Sequence, residues 1–182
     1  SRPKVCLMDA IGVLNKIVQY SKERQNGWAE PMAKAIDLND ERPLGVLPVD
    51  WQATMDRFER DFPNMRKLSE VLRDHFALSA LGDMRVKWPN VLLVGRPGIG
   101  KTEAARFLAN AFGLPFETID MASAQSGSAL NGSEAYWSNA KPGRLFELLA
   151  LGEVANPVVV LDELDKAKGD HRHDPLAGLY TL

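Results

Sequence analysis

Apolar residues near the start of the chain recur every three or four positions, which is the spacing of one face of an α-helix. Residues 5–24 follow this pattern and predict a helix that ends near Asn26-Gly27. The next polar segment, 39–48, contains two prolines and a glycine. It is predicted to be a loop or linker, because both residue types interrupt regular structure.

The same spacing predicts two further helices after this segment. The first is expected to begin with Asp50 as its N-cap and to run through Trp51, Met55 and Phe58. Pro63 separates it from the second helix. The apolar side of that second helix is formed by Met65, Leu68, Leu72 and Phe76. Neither helix carries visible chemistry, so most of these side chains are predicted to lie in the core.

The pattern changes at Trp88-Pro89, after which short continuous apolar runs alternate with helical periodicity. Strands are predicted at Val91–Val94, Phe116–Met121 and Val158–Leu161, and helices at Ala104–Phe112 and Leu145–Leu151. Short apolar runs that alternate with helices are typical of parallel strands covered on both faces. The second half of the chain is therefore predicted to have an α/β layout.

Composition and sequence pattern argue against a membrane-spanning protein and against a secreted, disulfide-bonded one. The 182 residues are 45% hydrophobic and 25% charged, as in an ordinary soluble domain. No apolar run approaches the length of a membrane span, and the first residues lack the layout of a signal peptide. Cys6 is the only cysteine, which excludes an intrachain disulfide and fits a reducing compartment. We expect a cytoplasmic protein without a membrane segment.

The charge balance argues against a nucleic-acid partner. Lys and Arg number 22 against 24 Asp and Glu, and the pI is near 5.9. Proteins that bind nucleic acid through its phosphates usually carry a basic excess. The chain as a whole lacks one, although a small local basic patch stays open.

A complete motif of the form G-x-x-x-x-G-K-[ST] lies between the first predicted strand of the second half and the helix after it. The predicted nucleotide contacts are Gly95, Arg96, Pro97, Gly98, Ile99, Gly100, Lys101, Thr102 and Glu103. Glycines accept positive φ angles, so successive backbone N–H groups can point at phosphate oxygens beside a helix N-terminus. Lys101 is expected to reach the β and γ phosphates of ATP, and Thr102 to offer its hydroxyl to Mg²⁺. An incidental glycine turn is the alternative, and the flanking strand and helix argue against it.

An acidic pair, Asp162-Glu163, directly follows the predicted strand 158–161. Acids in this position lie at the carboxyl end of a strand, where ligands bind in open α/β sheets. Asp162 suits a place beside Mg²⁺. Glu163 suits the base that positions the attacking water, and it is the predicted catalytic residue together with Lys101. A solvated acidic loop is the alternative; the distance from Lys101, with a strand and a helix between, favours the catalytic interpretation.

The segments GRPGIGKT (95–102) and VVVLDELDK (158–166) resemble the Walker A and Walker B segments of AAA+ ATPases, and those of the Lon family in particular. The stretch YWSNAKPGRLFE (136–147) is similar to the pore-loop region of Lon ATPase modules. The resemblance covers about residues 63–182. It implies an α/β fold of the P-loop NTPase class, a three-layer α/β/α core with a parallel sheet. Residues 1–62 are expected to form an N-terminal helical extension.

By the same resemblance, the chain is an ATPase module of a ring, usually a hexamer, that pulls on a polypeptide. Tyr136 and Trp137 would lie in the pore loop that grips the substrate; local packing is the alternative for these two aromatic residues. Arg96 stands where such loops often carry proline, a departure that is expected to spare binding. The family's sensor residues, arginine finger, helical lid and two further strands come from beyond Leu182, and no Ser-Lys protease domain is present. We therefore expect a fragment that binds nucleotide weakly and hydrolyses it poorly.

Other functions are compatible with the same motifs. A nucleic-acid-acting AAA+ ATPase, such as a loader or helicase-like machine, would share the phosphate-binding loop. A nucleotide-sensing scaffold would bind ATP without turnover, although the intact pair Asp162-Glu163 argues against it. A small-molecule kinase fits less well, because Glu163 suits attack by water. His171 and His173 are compatible with a metal cluster, but a polar loop explains them without a metal.

Overall fold

The computed structural model describes residues 4–6, 33, 41–122 and 143–166. In chain order the elements are β1 (Lys4–Cys6), β2 (Glu41–Pro43), α1 (Trp51–Asp61), a 3₁₀ turn (Pro63–Met65), α2 (Arg66–Leu81), α3 (Lys101–Ala111), β3 (Phe116–Asp120), α4 (Arg144–Leu151), β4 (Val158–Asp162) and a second 3₁₀ turn (Leu164–Lys166). The strands pair as two two-stranded sheets, β1 with β2 and β3 with β4. Among the helices of these ranges, none has the length and apolar character needed to cross a membrane.

The N-terminal segment differs from the prediction in two places. Residues 5 and 6 belong to strand β1 rather than to a helix, and the rest of the predicted helix lies outside the described residues. The predicted loop 39–48 contains strand β2, which pairs with β1. Farther along the same segment, Val46 forms an antiparallel bridge with Arg85, and Leu47 is buried. At residues 5–6 and 41–43 the predictions were wrong, because strand formation depends on a partner that local spacing does not reveal.

Helices α1 and α2 confirm the two helices predicted before Trp88. Met55 and Phe58 of α1 are buried, as are Leu72 and Phe76 of α2. Asp50 stands at the N-cap of α1 as predicted, but its side chain makes no capping hydrogen bond. Its φ of −98° and ψ of 28° differ from the extended conformation in which a capping side chain reaches the free N–H groups. The helix therefore begins without that stabilisation.

Aromatic rings join α1 and α2 to α3, the helix that follows the glycine-rich loop. The ring of Phe58 lies 5.2 Å from that of Phe62 and 6.0 Å from that of Phe107, which belongs to α3. A second pair, Phe76 and Phe112, lies 5.0 Å apart with the rings edge to face. Such pairs add about 0.5–1.5 kcal/mol each to the stabilisation that burial provides. These contacts pack α3 against α1 and α2.

A polar network also connects α1 with α2. Arg73 of α2 donates hydrogen bonds to Asp56 at 2.6 Å and to Glu59 at 2.7 Å. The hydroxyl of Ser69, which is fully buried, donates to the same Glu59 carboxylate at 2.7 Å. The Arg73 bond, followed by the Ser69 bond, lowers the pKa of Glu59 below its ordinary value. The network therefore favours the ionised carboxylate.

The run Val91–Val94, predicted to be a strand, is not one in the structure. Leu92 is 73% exposed and Val94 is 86% exposed. A strand requires a neighbour to satisfy its backbone N–H and C=O groups. Within the described part of the chain, no strand pairs with this run. The prediction was wrong because an apolar run indicates a tendency to be buried but does not supply the neighbour that buries it.

Strands β3 and β4 run parallel, as predicted for this half of the chain. The N–H of Val158 donates to Pro115 O, and the N–H of Met121 donates to Asp162 O, both at 2.9 Å. Residue numbers rise together along the two strands, which is the parallel arrangement. Every residue of β4 is only half-buried, so the predicted burial on both faces is not observed. In the described residues, two strands are too few to cover their own side chains.

Asn156, two residues before β4, is hydrogen-bonded to two backbone segments that are distant in sequence. Its Oδ1 accepts a hydrogen bond from Gly45 N–H at 2.7 Å, and its Nδ2 donates to Gly45 O at 3.2 Å and Val86 O at 2.9 Å. The backbone at Gly45 approaches so closely that a Cβ there would lie 2.1 Å from Cδ2 of Leu114. A side chain at this position would therefore require the Leu114 side chain to shift. We call this set of three hydrogen bonds the Asn156 clamp.

Candidate nucleotide-binding site

The glycine-rich loop adopts the conformation that its glycines permit. Gly98 has a φ of 78° and Gly100 a φ of 88°, both in the left-handed region that side chains with a Cβ rarely occupy. Helix α3 begins immediately afterwards at Lys101, and the N–H of Ala104 donates to Gly100 O at 2.8 Å. The first N–H groups of a helix have no partner within it, and the helix dipole favours an anion at this end. The loop therefore leads into a potential anion site.

Lys101 folds back across the loop that precedes it. Its Nζ donates to Gly95 O at 2.9 Å and to Arg96 O at 3.1 Å. The ammonium group is thus held beside the first residues of the motif, and Thr102 follows it in the first turn of α3. A positive charge next to free N–H groups is the combination that attracts phosphate oxygens. The structure brings Gly95, Arg96 and Lys101 together, and the role of each towards a nucleotide stays a prediction.

The 3₁₀ turn Pro63–Met65 contacts the same loop, which the sequence alone did not indicate. The side-chain amide of Asn64 donates to Ile99 O at 2.9 Å. Beside it, a Cβ placed on Gly100 would lie 3.9 Å from two ring atoms of Phe62, in van der Waals contact. The sequence signal for this turn, a proline after a helix, predicts where a helix ends but not what the turn touches.

The acidic pair lies at the carboxyl end of β4, as predicted. Asp162 is the last residue of the strand, and the N–H of Glu163 donates to Asp162 Oδ1 at 2.9 Å. Glu163 itself has a φ of 54°, a left-handed conformation that costs a residue with a side chain about 1 kcal/mol or more. The motif loop belongs to a compact unit that contains Pro43–Thr118 and Asn156–Val160, whereas Asp162 and Glu163 belong to a second unit.

Lys166 is bonded to the predicted base. Its Nζ donates to Oε1 of Glu163 at 2.5 Å, and this bond is the main cause that raises the pKa of Lys166. Both side chains are roughly half-exposed, so the pair adds little to stability. The sequence analysis assigns no role to Lys166. Opposite charges three residues apart were the available signal, since such residues are neighbours in a helical turn.

Two other sets of candidate residues lie outside the described part of the chain: Tyr136 and Trp137 of the predicted pore loop, and His171 and His173 of the possible metal cluster. Across the residues that the structure does describe, no group of three or more His, Cys, Asp or Glu side chains could hold a metal ion. Mg²⁺ in proteins usually takes part of its ligands from water and from substrate phosphates.

Comparison with known proteins matches residues 91–182 to the family described as ATPase family associated with various cellular activities (AAA). The Lon protease of Elusimicrobium minutum is 27% identical over 183 residues, which cover 92% of this chain and 22% of that protein. Lon protease 3 of Sorangium cellulosum is 33% identical over 124 residues, 68% of this chain and 15% of that protein. The Lon protease of Nitrosococcus oceani is 30% identical over 134 residues, with 74% and 17% covered. The chain spans less than a quarter of the length of these relatives.

The chain belongs to the AAA family of ATPases. Over most of its length it is similar to Lon proteases, which confirms the Lon-like resemblance drawn from its Walker segments. The family also confirms the predicted fold class, an α/β P-loop NTPase with an N-terminal helical segment, and the predicted enzyme class. The roles of individual residues and the division at residue 62 stay predictions.

Proposed function

We propose that this chain binds ATP with Mg²⁺ and hydrolyses it as an AAA+ ATPase module. The observation that carries the proposal is the loop ahead of α3, in which Gly98 and Gly100 both adopt left-handed φ angles. Lys101 begins the helix at the end of this loop and is held close to it. Left-handed glycines, a lysine and a helix N-terminus together suit a polyphosphate better than a neutral ligand.

The loop residues 95–103 are proposed to hold the phosphates through their N–H groups. Lys101 would exchange its bonds to the carbonyl oxygens of Gly95 and Arg96 for stronger, charge-assisted bonds to phosphate. Thr102 and Asp162 are the residues that would hold Mg²⁺, which would offset the negative charge of the β and γ phosphates. This distribution of roles follows the motif residue by residue.

Glu163 is the proposed base. Its carboxylate would accept a hydrogen bond from the attacking water and direct the water oxygen at the γ-phosphorus. As the new P–O bond forms and the bond to the ADP oxygen breaks, the carboxylate would take up the proton of the water. Its present bond to Lys166 occupies Oε1 and leaves Oε2 to accept a hydrogen bond from the water.

The similarity to Lon proteases supports a wider proposal for the longer protein. We propose a homo-oligomeric ring, a hexamer by the family resemblance, that pulls on a polypeptide in the cytoplasm, with Tyr136 and Trp137 gripping the substrate. The net charge of −2 favours a polypeptide over a nucleic acid as the substrate, since phosphate binding requires basic residues. The exposed apolar run Val91–Val94 supports the further sheet strands that the resemblance implies.

One observation favours a second candidate, a chain that binds ATP without turning it over. Lys166 occupies Oε1 of Glu163, so an attacking water has to compete with an ammonium group for that oxygen. Replacing Lys166 with methionine separates the two candidates, because it removes the ammonium and keeps the length of the side chain. Phosphate release from MgATP that appears or increases in Lys166→Met, beyond a Lys67→Met control on α2, would favour a restrained ATPase over a pure sensor.

Calorimetry of the purified protein with MgATP tests the proposed site. Lys101→Ala is expected to weaken ATP binding by about 100-fold or more, because it removes a charge-assisted contact and its positive charge from the loop. Lys67→Ala, an exposed lysine of α2, is the matched control and should leave affinity unchanged. Equal ATP affinity in Lys101→Ala and wild type would remove this loop as the phosphate site.

A further inference from the structure

The peptide group between Ile99 and Gly100 lies at the centre of the motif loop, between its two left-handed glycines. Its carbonyl oxygen accepts a hydrogen bond from Nδ2 of Asn64 at 2.9 Å. The described chain contains no cis peptide bond, so the N–H of Gly100 points opposite to this carbonyl. Whatever holds the oxygen of Ile99 therefore also sets the direction of the Gly100 N–H.

Asn64 is itself held firmly enough to act in this way. The N–H of Met65 donates to Phe62 O at 2.9 Å, which closes the 3₁₀ turn that carries Asn64. The ring of Phe62 lies 5.2 Å from that of Phe58 and 5.6 Å from that of Phe107. Phe107 belongs to α3, so the turn and the helix behind the loop share one aromatic cluster. The amide of Asn64 thus reaches the loop from a fixed position.

Without this contact a second orientation would be open to the peptide between Ile99 and Gly100, because glycine permits the change in φ that the rotation requires. Glycine populates positive and negative φ with similar ease, so the left-handed angles of Gly98 and Gly100 are permitted but not enforced by their own chemistry. A rotated peptide would present its carbonyl oxygen, instead of its N–H, to a bound anion. One side-chain donor on the carbonyl side removes that alternative.

We infer that Asn64 is a positioning residue for the ATP phosphates: its amide anchors the Ile99 carbonyl and so directs the Gly100 N–H into the phosphate-binding loop. This inference rests on the proposed ATP site. Asn64 does not touch phosphate in this arrangement; it acts through the backbone of the loop. Its effect is therefore confined to the phosphate part of the ligand, and it is the same for ATP as for a smaller anion with the same groups.

The test uses Asn64→Leu, which keeps the approximate size of the side chain and removes the donor without adding charge. Inorganic pyrophosphate is the second ligand, because it offers the phosphates without the base or the ribose. Calorimetry should show that Asn64→Leu weakens MgATP and magnesium pyrophosphate by the same factor, about three- to tenfold, as expected for one net hydrogen bond. The matched control is Asn110→Leu, an exposed asparagine of α3, which should leave both affinities unchanged.

A spectroscopic measurement accompanies the titrations. The Gly100 amide resonance of the ligand-free protein should move in Asn64→Leu and not in Asn110→Leu, because a hydrogen bond to a carbonyl polarises the whole peptide group. An unmoved Gly100 resonance, or unchanged affinity for both ligands, would overturn the inference while leaving the ATP site intact. Weaker ATP binding with unchanged pyrophosphate binding would overturn it as well, since Asn64 would then contact the nucleoside. A wild-type protein that binds neither ligand would overturn the proposed function itself.

Discussion

Replacing Asn156 by aspartate alters one functional group of the Asn156 clamp and almost nothing in its shape. One carboxylate oxygen would still accept the N–H of Gly45, which now donates at 2.7 Å. The other would face the carbonyl oxygens of Gly45 and Val86, which the amide now reaches at 3.2 Å and 2.9 Å. Two donated bonds are lost, and a negative charge is placed beside two partial negative charges.

The size of the effect follows from these contacts. Each lost bond removes about 1 kcal/mol of net stability, and the half-buried carboxylate beside two carbonyls adds about 1–2 kcal/mol. We therefore expect Asn156→Asp to lower the free energy of unfolding by about 3–4 kcal/mol at neutral pH. Asn156→Ala loses all three bonds without the repulsion and should cost about 3 kcal/mol. The aspartate is expected to be the worse substitution, although it is the closer match in shape.

Acid pH is expected to bring the stabilities of the two variants closer together. The carbonyls disfavour the charged form of the introduced carboxylate, so its pKa is higher in the folded state than in the unfolded state. The repulsion is then fully present above the folded-state pKa and declines as the pH falls through it, because the protonated group can donate to Val86 O. Asn156→Asp should recover part of its loss, about 1 kcal/mol, at acid pH relative to Asn156→Ala.

Urea unfolding at neutral and at acid pH measures these differences. With an m-value of about 2 kcal/mol/M, a loss of 3 kcal/mol moves the midpoint by about 1.5 M. Asn110→Asp, an exposed asparagine of α3, is the matched control and should move it by about 0.3 M or less. A midpoint for Asn156→Asp within that control range, or no relative recovery in acid, would refute the proposed energetics of the clamp.

Three further outcomes are expected. Glu163→Gln should retain MgATP affinity and lose phosphate release by about 100-fold or more, since an amide cannot take up the proton; near wild-type release would exclude Glu163 as the base. Gly98→Ala should cost about 1 kcal/mol in urea unfolding from its φ of 78° alone, because a Cβ there meets nothing within 4 Å. Gly113→Ala, at a φ of 64° and with equally open space around a Cβ, should lose a similar amount, and an unchanged urea midpoint in both variants would contradict the backbone explanation. The lowered pKa of Glu59 stabilises the fold above the ordinary glutamate value of about 4.5 and ceases to do so as the pH falls through the folded-state value. Glu59→Gln should therefore flatten the acid-side fall in melting temperature, and an unchanged slope would contradict this.

The helices were predictable because their signal is local. Periodic apolar residues define one face, and Gly113, with a φ of 64°, ends α3 where the sequence indicates. The strand predictions were correct only where the apolar run pairs with another strand. Phe116–Asp120 and Val158–Asp162 did so, whereas Val91–Val94 did not among the described residues. Strand pairing depends on two segments, so the composition of one segment alone does not predict it.

The candidate site also divides into features with a local sequence signal and features that depend on distant residues. The left-handed Gly98 and Gly100 follow from residue type, since glycine alone adopts such angles without strain. Asn64 was missed because it lies 35 residues from the carbonyl that it binds. Lys166 was missed although it is close in sequence, because its contact depends on the left-handed turn at Glu163. The motifs therefore predict which groups meet the ligand, and the structure shows the contacts that Asn64 and Lys166 make with the candidate site.

The exposed run at Val91–Val94 has a consequence for the behaviour of the chain in solution. An extended apolar segment with open backbone groups is a template on which another extended chain can add. At high protein concentration, molecules that present Leu92 and Val94 to solvent should therefore self-associate through this segment before any other part unfolds. A lysine at position 92 would act as a gatekeeper against such growth. Light scattering against concentration would then report on the segment that leads into the phosphate-binding loop.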